Sequence, residues 1–272
     1  MTSLTTTLLS HETAIRFGVF MGLFFAIALW EVLAPWRRTA LSRWRRWPNN
    51  LGIAALNAAV VRITLPVTAI STAAIVEQHG WGMMTTLELP VWLAVITSIL
   101  LLDFVIYFQH RLFHAVPSLW RLHRMHHADL EFDVTTGARF HPIEILISMV
   151  IKLASVTVLG APALAVLIFE VLLNATSMFN HGNIVLPPKA EGVLRWWVVT
   201  PEIHRIHHSI AHAETNSNFG FNLPWWDRLF ATYRAEPAAG RGGVAIGIPM
   251  FREPGELRLD RMLLQPFRYD LP

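Results

Sequence analysis

The chain contains no cysteine. That absence removes disulfides, thiolate-ligated haem, iron–sulfur clusters and cysteine nucleophiles together, so any metal must sit on nitrogen or oxygen donors. Charge is scarce as well. Asp, Glu, Lys and Arg make up 15% of 272 residues while 53% are hydrophobic, against roughly 25% charged in soluble domains, and the deficit points to a lipid bilayer. The formal net charge is only +3, and no run of Lys or Arg interleaves with aromatics, so nothing argues for a nucleic acid partner. No Gly/Ser-rich linker, low-complexity stretch or fixed-period repeat divides the chain, which reads as one integral unit.

Long apolar segments are what it does have. Residues 17–35, FGVFMGLFFAIALWEVLAP, are long enough to cross about 30 Å of hydrocarbon at about 1.5 Å per residue. Without a basic leader or a cleavage site they read as a span and not a removable signal. Further spans are expected over 51–76, which contains Arg62 and Pro66, over 90–108, which carries Asp103, and over 143–159 and 161–179, a hairpin turned at Gly160 to Pro162. The loop 36–50 holds Arg37, Arg38, Arg43, Arg45 and Arg46, whereas the loop before Pro90 has no Lys or Arg. The positive-inside rule then makes the first loop cytoplasmic. Counting crossings from there, the third span delivers His110 to the cytoplasmic face and the hairpin returns His181 to it. Past Gly182 the apolar runs are too short to span. The expectation is an all-α polytopic transmembrane helix bundle of about four to five membrane-embedded helices, with a cytoplasmic helical cap holding a histidine-rich dimetal site. Residues 1–89 form the N-terminal helices and loops, 90–234 the histidine-bearing catalytic region, and 235–272 a cytoplasmic tail packed on the cap.

Thirteen histidines occur, and eleven of them lie between His110 and His212. HRLFH gives His110 and His114, HRMHH gives His123, His126 and His127, and HRIHH gives His204, His207 and His208. At this frequency HxxHH should arise about 0.03 times by chance, yet it occurs twice. On a helix, residues three and four apart share a face with Cβ atoms about 5 to 6 Å apart, so each group can aim two or three ring nitrogens at one point. Neutral imidazole suits iron, zinc, copper and nickel, and these eight histidines exceed what one ion takes, so two neighbouring ions are the natural count. Carboxylates that hydrogen-bond the outer imidazole nitrogens are then needed, and the candidates are Asp103, Glu144, Glu202 and Asp227. Asp103, Tyr107, His110 and His114 fall on one helical stripe, and an acid inside a span is a functional candidate. Two turns, about 10 Å, separate Asp103 from His110, so Asp103 would meet a histidine of another cluster. His141, before Pro142 at the mouth of the fourth span, and His181, after the fifth, extend the ligand set. His212 reads as a ligand or a substrate-edge residue, His11 and His79 as surface residues, and Trp196, Trp197, Trp225 and Trp226 as membrane-interface anchors.

These boxes, in this order and with DFVIYFQHRLFH, RFHPIE, PEIHRIHH and NSNFGFNLPWWDRLFATY around them, resemble the fatty acid hydroxylase and sterol desaturase superfamily over about residues 100 to 234. The resemblance implies an integral membrane di-iron monooxygenase that uses O2 to hydroxylate a lipid C–H bond. It implies two Fe ions on His110, His114, His123, His126, His127, His204, His207 and His208, with His181 and His141 also matching family positions; Asp103 and Tyr107 are expected behind them from the stripe they share with His110 and His114. Two departures stand out. Ala231 replaces a glycine common in the terminal element, and Ser177 stands where fatty acid 2-hydroxylases carry a histidine, which argues against that branch. No HPGG or GxGxxG segment is present, so electrons must come from a separate redox donor protein, docked on a basic surface that includes Arg195, Arg205 and Arg228. The rival readings are a desaturase of the same family, whose carbon radical loses a second hydrogen, and a zinc-dependent membrane hydrolase or metal carrier. Three-ligand zinc sites leave most of these histidines unexplained, and no file of ligands crosses the spans.

Overall fold

Proline and glycine decide where the apolar segments stop. The computed structural model describes residues 3–240 and 242–268, and among them the regular structure is helical, with two isolated bridges joining Pro35 to Ile184 and Ser209 to Ile246. Five segments are long and apolar enough to cross a membrane: Glu12–Leu33, Arg43–Thr86, Val91–Ala115, Pro142–Leu159 and Ala163–Asn180. The first is helix α1 (Glu12–Leu33). The second, expected as one helix over 51–76, is broken into α2 (Arg43–Thr64) and α3 (Ala69–His79). Pro66 has no N–H and holds Leu65 out of the helical region, and Thr68 restarts the helix with a reciprocal cap to Ser71.

Helix α4 (Val91–Ala115) ends at Val116, and Pro117 at once begins α5 (Pro117–His127), where its fixed φ suits the first helical position. The first two histidine groups therefore sit at the C-terminal ends of two consecutive helices packed on each other. Helices α6 (Pro142–Leu159) and α7 (Ala163–Asn180) form the expected hairpin. Gly160 turns it at φ +64, so close to Gly82 that a β-carbon there would stand 2.2 Å from the Gly160 nitrogen. Helix α7 is central. It packs on α1, α3 and α4, and half of its apolar window is buried. Exposed apolar side chains such as Phe17, Phe25, Ile63, Trp92, Val150 and Val158 point outward from the bundle, as lipid-facing positions do. Beyond the spans, short α8 (Pro201–His207), capped by the Thr200 hydroxyl on Ile203 N, carries the third histidine group. Short α9 (Trp225–Leu229) follows it in the chain.

Candidate metal centre

The two HxxHH boxes are shared between two ligand groups. His110, His114, His123, His127 and His207 bring one ring nitrogen each within 4.8 Å of one another, and His126, His181, His204 and His208 do the same. The i and i+4 histidines of α5 face the five-membered group while the i+3 histidine, His126, turns to the other. In the third box the sense reverses: His204 and His208 join the four-membered group and His207 crosses to the five. Positions three and four apart point along slightly different lines on a helix, so one short helix wedged between two points serves both. The groups touch, with the His127 and His208 rings stacked at 4.4 Å.

Protons do not account for every way in which these nitrogens meet. The Nδ1 atoms of His110, His126, His181 and His207 lie 2.8, 3.2, 2.7 and 2.8 Å from the carbonyls of Phe219, Arg139, Ser177 and Ser217. A carbonyl only accepts, so Nδ1 carries the proton in each ring and Nε2 is left as a bare lone pair. Yet His181 Nε2 lies 3.2 Å from His126 Nε2, 3.2 Å from His208 Nε2 and 3.0 Å from His204 Nε2. In the His126–His181 contact the two lone pairs face each other and repel unless a cation lies between them, and about 3 Å is the spacing of donors held at about 2.0 to 2.1 Å around one ion. In the other group the Nε2 atoms of His110, His114, His123, His127 and His207 are buried without a protein partner. The residues fit two cations on nitrogen.

Burial also keeps the rings neutral, as ligands must be. It pushes His181 down to about 4 and His207 to about 3 from the ordinary 6.5, and His126, His127, His204 and His208 well below it. In the metal-free protein these rings refuse protons that the unfolded chain accepts. Their contribution to stability is full above about pH 6.5 and declines as pH falls toward the folded-state values. Melting temperature of the metal-free protein in detergent is expected to drop between about pH 7 and about pH 5; a flat profile would contradict buried neutral imidazoles.

The atoms behind the rings come from three places. Glu144, on the first turn of α6, accepts from His123 Nδ1 at 2.7 Å, as a carboxylate partner should. Its other oxygen is buried and unpartnered. Glu144→Ala is expected to weaken metal binding about 10- to 100-fold, read as the chelator concentration that strips the protein. The second source is the segment 217–232. Asp227 accepts from Phe219 N, Gly220 N and the Thr232 hydroxyl, which fixes the Phe219 carbonyl on His110. Asp103 accepts from Trp226 Nε1 at 2.8 Å and Asn222 N at 3.3 Å, and Tyr107 bonds the Thr232 hydroxyl at 2.9 Å. Asp103 and Tyr107 thus brace the segment that orients His110, and neither bonds a histidine. Ala231 takes the left-handed φ of +57, which explains the glycine that the family favours there. The strained alanine costs about 1 to 2 kcal/mol and a glycine's extra chain entropy about 0.5 to 1, so Ala231→Gly is expected to raise stability by up to about 1 kcal/mol in a thermal melt.

The third source is the segment 128–141, where the spacing of histidines gave no hint of the acids. Asp129 and Asp133 are fully buried. Arg46 bonds Asp129 at 3.0 and 2.8 Å and Asp133 at 2.6 Å, and Glu31 accepts from Val134 N and Asn183 N. Gly137 leaves room for the site: a β-carbon would lie 2.7 Å from the Ser177 carbonyl and 3.1 Å from His181 Nδ1. The only sequence signal was a lone acid, Glu31, in an apolar span.

His141 is not brought to either group. Its Nδ1 accepts from Ile143 N as the cap of α6 and its Nε2 faces the Leu263 carbonyl, so both ring nitrogens are engaged elsewhere. His212 bonds Asn216 on an exposed turn. Glu202 meets Leu186 N and no imidazole. Trp226 is tied to Asp103, while Trp196, Trp197 and Trp225 are exposed. The arginines proposed to dock a donor are occupied: Arg205 is buried over Trp36 at 4.0 Å, Arg228 is held between Trp196 and Tyr233, and Arg195 pairs with Glu191. In the boxes' intervening positions, Arg124 reaches the Gln265 and Arg268 carbonyls and Met125 packs on Ile53 and Met262.

A cavity of about 320 Å³ opens on His110, His123 and Glu144 and runs between α1, α4, α6 and α7. Its walls are mostly apolar, among them Phe20, Phe24, Ile106, Met149, Leu173 and Met178. One stripe is polar. Glu144, Ser148 and Lys152 follow one another along α6, with Gln109 donating to Ser148 at 2.8 Å and Lys152 paired to Glu170 at 2.9 Å.

Known proteins agree with this arrangement. The fatty acid hydroxylase family profile matches residues 95–232, just over half of the chain. The ornithine lipid hydroxylase OlsE of Rhizobium tropici is 29% identical over 84% of this chain and 70% of its own length. Alkylglycerol monooxygenase of Xenopus tropicalis is 27% identical over 89% of this chain and 52% of its own, and cholesterol 25-hydroxylase of Rattus norvegicus 26% over 54% and 49%. The chain therefore spans about half the length of several relatives it matches. No solved structure matches it. With nine histidines in two ligand groups above an apolar cavity, and a family match that covers all three boxes, the chain belongs to the fatty acid hydroxylase family, within the fatty acid hydroxylase and sterol desaturase superfamily.

Proposed function

We propose that this protein is a membrane-bound di-iron monooxygenase that hydroxylates a C–H bond of a lipid, with O2 as oxidant and electrons from a separate donor protein. The observation that carries the reading is the cavity whose end is formed by His110 and His123 of the five-histidine group. Two iron ions would be held by His110, His114, His123, His127 and His207 and by His126, His181, His204 and His208. When bound, they supply the oxidising power for C–H cleavage, which no side chain here has. The chain's own part is to position and to keep dry. Phe20, Phe24, Ile106 and Leu173 lay a lipid chain along the cavity, and Glu144 holds the His123 proton on Nδ1 and so the ring's orientation.

The polar stripe along α6 favours an amphiphilic lipid over a plain hydrocarbon, since Ser148 and Lys152 offer hydrogen bonds along the chain's path. The named relatives act on lipids with a polar group, which supports the same choice. The same reading puts the histidines on the cytoplasmic side, on the strength of the arginines that precede the second span, where soluble electron carriers circulate. Membranes expressing the protein, incubated with oxygen-18 gas, should yield a lipid heavier by one labelled oxygen atom, absent from a strain without the gene. A loss of two hydrogens without label would instead assign a desaturase. Unchanged lipids with zinc in the purified protein would sink the oxygenase reading.

A further inference from the structure

The cavity is not evenly polar along its length, and oxygens without partners gather at its histidine end. The Phe140 carbonyl only accepts, so Asn57 turns its amide nitrogen to it at 2.8 Å. The Asn57 Oδ1 left over is buried without a hydrogen-bond partner. Glu144 gives one oxygen to His123 and leaves Oε2 in the same condition. Both residues line the cavity and both lie close to the histidines, since the Phe140 ring stacks on that of His126 at 4.5 Å. Gln109, next to His110 in the chain, also lines the cavity, and its Oε1 is buried and unpartnered. Two turns further along α6, about 12 Å, the charges are matched within the protein: Glu170 is held between Lys152 and Arg16. A buried acceptor without a donor is costly, so the partners missing at the histidine end are N–H or O–H groups brought by a ligand. Two metal cations at that end would repel an ammonium, which leaves hydroxyl and amide donors.

We propose that the lipid binds with its polar end toward the histidines: a hydroxyl or amide group of its head donates to Asn57, Gln109 and Glu144, the tail runs along the apolar walls toward Lys152, and the oxidised carbon is one near the head and not one in the far tail. This rests on the hydroxylase reading. One turnover converts R–H and O2 to R–OH and water and consumes two protons and two electrons from the donor protein, and the head group takes part only by fixing which C–H bond is presented.

The probes are dodecane-1,2-diol and dodecanamide, each set against a methyl-capped form that keeps the chain and loses the donors, 1,2-dimethoxydodecane and N,N-dimethyldodecanamide. On zinc-loaded protein, which binds without turnover, at least one donor probe should bind about tenfold tighter or more than its capped form, and the pair that shows it assigns the donor as hydroxyl or amide. Asn57→Leu should bring that ratio close to one, with zinc content and affinity for the capped form unchanged. Comparing ratios between the two proteins cancels partition into detergent. A second measurement needs no substitution and decides alone if Asn57→Leu does not fold. Anaerobic iron-loaded protein, relative to zinc-loaded protein, should broaden the carbon-13 signal at C1 of the preferred probe more than that at C12. No preference for either donor probe, a preference that survives in Asn57→Leu, an equal loss of both forms in that variant, or broadening as great at C12 overturns the polar-end placement and leaves the hydroxylase reading standing. A chain that takes up no iron overturns both.

Discussion

His208→Ala is expected to lower turnover by at least about a thousandfold, roughly 4 kcal/mol of lost transition-state stabilisation, and to reduce bound metal from two ions per chain toward one. The reasoning is geometric. His208 is one of only four donors in its group, its Nε2 lies 3.2 Å from that of His181, and the rings of His126 and His181 are held by carbonyls and cannot turn to replace it. The same change at His127 removes one of five donors, so part of the metal should survive there. His141→Ala and His212→Ala serve as the contrast. Both belong to the run of eleven clustered histidines, yet His141 caps a helix and His212 is exposed, and both variants should keep two ions. Metal analysis of purified protein beside a lipid product assay reads all four variants. Full metal and full activity in His208→Ala would refute the division of the histidines into two groups.

That division could not be read from the sequence, although the boxes could. Spacing of three and four is a local property of one helix, so HRLFH, HRMHH and HRIHH announce ligand faces without any knowledge of the fold. Which ion each ring meets depends on how α5 and α8 cross, and no single segment encodes that. The spans were legible for a similar reason, since hydrophobicity sums along a segment; the second helix breaks at Pro66 and begins already at Arg43, inside the expected loop 36–50, and the third runs on to Ala115. Of the four carboxylates singled out, Glu144 meets a histidine because the RFHPIE turn sets it at the mouth of α6, whereas Asp103 and Asp227 act one step further out, on the segment that aims Phe219 at His110. The partners of His110, His126, His181 and His207 are backbone carbonyls. Every residue has one, so residue type carries no trace of them. His141 shows the converse: a histidine in the right neighbourhood whose ring nitrogens meet Ile143 N and the Leu263 carbonyl.

The least legible part of the site is the one whose loss should cost most in stability. Arg46 and Asp129 are 83 residues apart, and the arginine reads as part of a positive loop, yet it is fully buried with Asp129 and Asp133 around it. Buried Arg139, 4.0 Å from Asp129, adds to the pull that holds this carboxyl far below the usual carboxylate range. Arg46→Met would leave two carboxylates in a dry interior with one distant cation, and stranding buried charge in this way costs about 3 to 5 kcal/mol. The damage should reach the metal. Asp129 accepts from the Thr136 hydroxyl, and Asp133 from the Thr135 nitrogen and hydroxyl, so the network shapes the segment that ends in the Arg139 carbonyl on His126. Melting in detergent should fall sharply and metal should be lost with it. Charge, and not volume, is the cause, so adding Asp129→Asn and Asp133→Asn to Arg46→Met should recover a substantial part of the melting temperature. A triple variant as unstable as Arg46→Met alone would show instead that the guanidinium's three hydrogen bonds, and not its charge, hold the centre in shape.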